Sequence, residues 1–165
     1  MRRIGSQLHH AGRLGAPGTT VRGAASSYRY HMSSPGDALQ LLRDDPEHLQ
    51  VLCDRRGVVL LTAFGSVLRP AAEPHDLDLG VPFGYAGTRD ALGVRDDLVA
   101  LTGYEGIDLV VLNGAGPVIR ERALVGAEVL YEARRSVHTQ AAIAATMERM
   151  DTQWLRRLSL EELAR

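Results

Sequence analysis

The chain has 165 residues, a single-domain length, with 45% hydrophobic residues and a formal net charge of −1 at pH 7. This near-neutral balance provides no global basic field for nucleic acid or a membrane surface. The absence of lysine excludes a P-loop lysine and a Schiff-base lysine, and a single cysteine, Cys53, excludes an intrachain disulfide and a cysteine zinc site.

Residues 1–34 are rich in Gly, Ser, Ala, Arg and His and show no hydrophobic period, which predicts a disordered N-terminal extension. Residues 1–36 hold five arginines and no acid, leaving 14 arginines against 20 acids in the remainder. An arginine-rich, acid-free start resembles a transit peptide in composition but has no clear amphipathic helix. Translation from Met32 is the favoured expectation. No apolar run approaches the roughly 20 residues that span a bilayer, so a cytoplasmic protein is expected.

From Pro35 the pattern becomes regular, and one domain is expected over 35–165. Ala38, Leu39, Leu41 and Leu42 predict a short helix. Asp45-Pro46-Glu47 is a helix start, with a capping carboxylate, a proline in the first turn and an acid at the positive dipole end. Leu49, Leu52 and Cys53 form its inner face, with Cys53 a buried spectator, and Gly57 ends it. Val58 to Phe64 is an apolar run of strand length, implying burial on both faces. Leu77 to Val81 predicts a second strand, 89–102 a helix with Ala91, Leu92, Val94, Leu98 and Leu101 inward, and Ile107 to Leu112 a third strand. Pro117 opens a helix to about Val125, and Val129 to Tyr131 reads as a short strand or extended segment. A last helix runs from about Thr139 to Arg157, with Ile143, Met147, Met150, Trp154 and Leu158 at helical spacing, read as a packing face or, where a partner docks, an interface edge with Trp154, Arg156 and Arg157. The fold class is α+β: a small mixed sheet of three to four strands packed with helices.

Carboxylates punctuate these strands. Residues i and i+2 of a strand share a face, so Asp76 and Asp78 project together, and Asp108 opens the next apolar strand. Three acids converging on one sheet face repel one another, and burying them unpaired is costly. Hard oxygen donors suit Mg²⁺, and two such ions can clamp the oxygens of a phosphoryl or nucleotidyl transfer. Gly65-Ser66 follows the first strand, where glycine permits close backbone approach and the turn offers N–H groups and a hydroxyl to an anion. Arg69 lies three residues on, within reach of a phosphate.

Gly65-Ser66, nine residues, Asp76-x-Asp78 and then Asp108 on a later strand resemble the signature of the nucleotidyltransferase superfamily that includes DNA polymerase beta. The segments Ile107–Ala133 and Met147–Arg157 narrow the resemblance to minimal nucleotidyltransferases of the MntA antitoxin type. The resemblance spans about Leu39 to Arg157. It implies a nucleotidyltransferase fold, ATP as co-substrate, and a HEPN-domain toxin as partner, silenced by transfer of AMP to a tyrosine. It implies that Asp76, Asp78 and Asp108 are catalytic and hold Mg²⁺, and that Gly65 and Ser66 bind the nucleotide; Arg69 joins the nucleotide-binding set by its reach, and two Mg²⁺ ions are expected from the transfer chemistry. It also implies a proton-accepting role for Asp108. The chain departs from the pattern at Val67, at Arg69-Pro70, and at His75 before the first carboxylate. Pro70 and Pro74 predict that the short helix after Gly-Ser is truncated.

Two alternatives remain open: nucleotidyl transfer to a small hydroxyl compound, as in aminoglycoside resistance, and an antitoxin that acts by binding alone. The chain after the last strand leaves little room for a small-molecule acceptor domain. Direct nucleic-acid binding is not expected from an acidic core without a basic arm.

Overall fold

The computed structural model describes residues 34–85, 89–154 and 157. Of the extension expected over 1–34, residues 1–33 lie outside the described residues, as do Arg156 and Leu158 at the end of the last expected helix. Ser34, placed in that extension by composition, is instead the N-cap of the first helix: its hydroxyl accepts from the Asp37 N–H at 3.1 Å.

Helix α1 spans Pro35–Asp44 and α2 Pro46–Arg56. Asp45 closes the first and caps the second, its carboxylate accepting from the His48 N–H. Gly57 ends α2 at φ 69°, a left-handed conformation that suits glycine. Strand β1 (Leu60–Phe64) is buried throughout, as its unbroken apolar run predicts. A single 3-10 turn, Gly65–Leu68, follows, and Pro70 lies just beyond it, in agreement with the expected truncation. Then come β2 (Leu77–Val81), α3 (Ala91–Thr102), β3 (Ile107–Val111), α4 (Pro117–Leu124), β4 (Glu128–Glu132) and α5 (Val137–Asp151).

The strands form one mixed sheet in the order β3-β2-β1-β4. β1 pairs antiparallel with β2 and β4, while β2 and β3 run parallel, connected through α3 as a parallel pair requires. Alternation along the strands makes two cores. Leu61, Ala63, Leu77, Leu79, Val81 and Ile107 face α1, α2 and α3. Leu60, Phe64 and Leu112 face α4 and α5, together with Ala123, Leu124 and Ala145. Cys53 is fully buried in the first core, and burial pushes its thiol up to about 12, so it is inert at neutral pH.

Two side-chain expectations are corrected. Leu92 is 76% exposed rather than inward. The core-facing positions of α3 are Val94, Leu98 and Thr102, and Leu92 falls on the opposite face of that helix. The apolar stripe of the last helix also faces outward: Ile143, Met147, Met150 and Trp154 are 56–67% exposed. α5 packs inward through Val137, Ala141, Ala142 and Ala145, small residues that let it lie close to α4. Two ion pairs, Arg120–Glu148 and Arg149–Glu121, join the same two helices. Elsewhere Arg43 pairs with Glu128, and Arg55 and Arg56 with Asp97; the guanidinium hydrogen bonds hold both carboxyls below their usual range.

α4 is fastened to the sheet at one point. The fully buried Thr62 hydroxyl of β1 donates to the Ala123 carbonyl at 2.7 Å, satisfying an acceptor in the last turn of the helix. Beside it, a Cβ on Gly80 would sit 2.8 Å from Thr62 Oγ1 and 3.1 Å from Ala123 Cβ, so only glycine fits beneath the helix. Thr62→Val keeps the shape, removes the donor and orphans a buried carbonyl. It is expected to lower the stability by about 1–3 kcal/mol, read as a lower urea midpoint at unchanged slope.

Candidate active site

Asp78 sits at the centre of the strand register. Its Cα partners are Phe64 at the end of β1 and Asp108 on β3. Asp76 lies one residue before β2. Asp76 and Asp108 are exposed and Asp78 is half-buried. Alternation puts Asp78 on the face that carries Gly80, hence on the side of α4 and α5. The acids lie at the N-terminal ends of β2 and β3.

The electrostatics show that the three belong to one patch. Burial raises the Asp78 carboxyl above its usual range, and the charges of Asp76 and then Asp108 raise it further. The Arg122 guanidinium on α4 acts in the opposite direction. None of the three acids makes a salt bridge among the described residues.

The Gly65-Ser66 turn is built against this patch. Gly65 has φ +82°, and a Cβ there would lie 2.0 Å from Asp78 Oδ2. The backbone therefore passes directly beside the carboxylate, which a side chain would forbid. Ser66 is half-buried in the turn, and its carbonyl accepts from the Arg69 N–H at 3.0 Å. Arg69 is exposed and makes no salt bridge among the described residues.

The loop entering Asp76 is anchored by residues that carried no signal in the sequence. The Tyr104 hydroxyl donates to the His75 carbonyl at 2.8 Å, and the Leu77 N–H to the Gly106 carbonyl at 2.9 Å. Burial, and secondarily the Asp76 charge, raises the Tyr104 phenol above its usual range. Arg122 is the other residue that sequence reading missed. Both depend on long-range placement; the cue available in the sequence for Arg122 was a basic residue in the helix opened by Pro117.

Among the described residues no three His, Cys, Asp or Glu side chains are grouped to hold a metal ion as they stand. The donor chemistry nonetheless fits a hard divalent cation: all-oxygen ligands, mutually repelling, one of them half-buried without an ionic partner.

Comparison with solved structures places the fold. A chain from the crystal structure of a toxin–antitoxin with AMP-PNP superposes with a TM-score of 0.60 at 15% identity, over 73% of this chain and 99% of that one. The fold is the minimal nucleotidyltransferase fold. A chain of an MntA–HepT toxin–antitoxin structure gives 0.57 at 16% identity, over 76% and 99% of the two chains. A chain of the complex of tri-AMPylated Shewanella oneidensis HEPN toxin with MNT antitoxin gives 0.57 at 17%, over 75% and 99%. Neither a protein-family model nor a curated protein sequence matches the chain. Each superposition takes in about three quarters of this chain and nearly all of the other.

Gly65→Ala has two consequences in this geometry. The positive φ costs an L-residue about 1–2 kcal/mol, and the new methyl must displace the Asp78 carboxylate. Nucleotide binding, measured by calorimetry, is expected to be lost while the protein still melts cooperatively. Wild-type binding by the alanine variant would show that the close approach has no functional part.

Proposed function

We propose that this protein is a Mg²⁺-dependent nucleotidyltransferase antitoxin that transfers AMP from ATP to a tyrosine of a HEPN-domain toxin. The observation that carries the reading is the glycine turn pressed against Asp78 at the centre of a three-acid patch. The fold it shares with toxin–antitoxin structures, one with AMP-PNP and one with an AMPylated HEPN toxin, supports the donor and the partner.

In this reading Asp76, Asp78 and Asp108 hold Mg²⁺, proposed as two ions. Bound there, Mg²⁺ supplies positive charge to the acids and the triphosphate. The backbone at Gly65 and the Ser66 hydroxyl donate to phosphate oxygens, and Arg69 closes over them from the end of the turn. The tyrosine oxygen attacks the α-phosphorus in line. The bond from that phosphorus to the oxygen bridging to the β-phosphate breaks, and pyrophosphate leaves. Asp108, exposed on the edge strand, accepts the phenolic proton. Tyr104 holds the Asp76 loop in place through the His75 carbonyl.

A protein acceptor suits the surface better than a small one. The acids lie on one sheet face, and α5, on the same side, exposes Ile143, Met147 and Met150 in one stripe, with Trp154 exposed just beyond its end. Contiguous exposed apolar side chains of this kind mark interaction surfaces. No helix among the described residues is long and apolar enough to cross a membrane, so that stripe does not belong to a spanning segment.

The test incubates the protein with Mg²⁺, ATP and a HEPN toxin encoded beside it, followed by intact-mass analysis of the toxin. The expected outcome is a mass gain of one or more AMP units that Asp76→Ala abolishes. An unmodified toxin neutralised equally well by Asp76→Ala would establish an antitoxin that works by binding alone.

A further inference from the structure

The cations of the α4/α5 pair are not equivalent. Arg120 is committed to Glu148 and Arg149 to Glu121, and both pairs tie the two helices together. Arg122 follows Arg120 by two residues, about 200° around the helix, which turns it away from α5. It is exposed and makes no salt bridge among the described residues.

Its position is nevertheless fixed. The next residue, Ala123, is held by the Thr62 hydroxyl through its carbonyl and packs on Gly80 through its methyl. Gly80 is two residues from Asp78 on the same strand face. α4 is therefore pinned with Arg122 one residue from the Gly80 contact, within a side chain's reach of the strand face that carries Asp78. It is near the carboxylates without being bonded to any of them. A guanidinium serving only as their counter-ion would gain most by closing a bidentate pair, which none of the three acids makes here.

We propose that Arg122 is a ligand for the phosphate chain of the nucleoside triphosphate, reaching it from the α4 side while the Gly65-Ser66 turn approaches from β1. The inference rests on the nucleotidyl-transfer reading of the site. A triphosphate brings further negative charge to three carboxylates. Divalent ions offset part of it, and an uncommitted guanidinium on a pinned helix offsets more. The planar fork also matches two phosphate oxygens at once, which an ammonium does not. The role gives α4 a function beyond covering the sheet: its attachment through Thr62 and Gly80 sets where the cation stands.

The experiment measures MgATP binding by calorimetry to the full chain, without partner, for wild type, Arg122→Ala and Arg122→Lys, with melting curves in EDTA and without nucleotide. Arg122→Ala is expected to weaken MgATP binding about tenfold or more, the loss of a charge-assisted hydrogen bond. Arg122→Lys is expected to fall between the two, and the nucleotide-free melting temperatures to coincide. An alanine variant that binds MgATP with wild-type affinity overturns the inference, whether or not its melting temperature has dropped. A wild-type protein that binds no MgATP would instead remove the nucleotidyl-transfer reading beneath it.

Discussion

Mutual repulsion of Asp76, Asp78 and Asp108 is the constraint around which the rest of the site is arranged. Three carboxylates share one end of one sheet face, and the central one is half-buried without an ionic partner among the described residues. A fold optimised for stability alone would not gather them, because each raises the cost of ionising the others. Gly65 sharpens the point: its backbone approaches Asp78 so closely that no other residue would leave the carboxylate where it is. Such a site suits cationic charge, as the proposed metal-dependent reading requires.

The two layers of helices divide the work. α1, α2 and α3 seal the first core, where Leu77, Leu79 and Val81 fix the register of β2 and thereby the height of Asp78 beside Asp108. α4 and α5 cover only part of the opposite face. α4 is fastened over Gly80 by Thr62, two residues short of Asp78, and the acids lie beyond that attachment. α5 rests on α4 through alanines and ion pairs and leaves its large apolar side chains exposed. The larger core thus lies on one side of the sheet, and the proposed chemistry and recognition on the other.

Much of this was legible in the residues themselves. Asp45-Pro46, Gly57 and Pro117 mark helix boundaries by local chemistry that tertiary context rarely overrides, and each stands where that chemistry puts it. The apolar runs located β1 and β2, which are almost wholly buried, and shorter apolar runs located β3 and β4, which are only partly buried. The motif brought Gly65, Asp78 and Asp108 to one place because β1, β2 and β3 are neighbours in the sheet. Side-chain direction was harder to read. Periodicity placed Ile143, Met147 and Met150 on one face of α5, with Trp154 just beyond it, but helical spacing alone does not say whether that face or the alanine face turns inward. Leu92 failed for a related reason, since one apolar residue beside a well-formed stripe carries no phase of its own. Tyr104 and Arg122 were missed because the segments that bring them beside the acids meet only after folding.

The most direct test of the account compares the melting temperature of wild type with Asp78→Asn, first in EDTA and then with MgATP. Asparagine preserves the shape and removes the charge at the centre of the patch. The account predicts that the variant melts at or above the wild-type temperature in EDTA, and that MgATP raises the melting temperature of wild type but not of the variant. A variant that melts well below wild type in EDTA, or that gains the same stabilisation from MgATP, would contradict it.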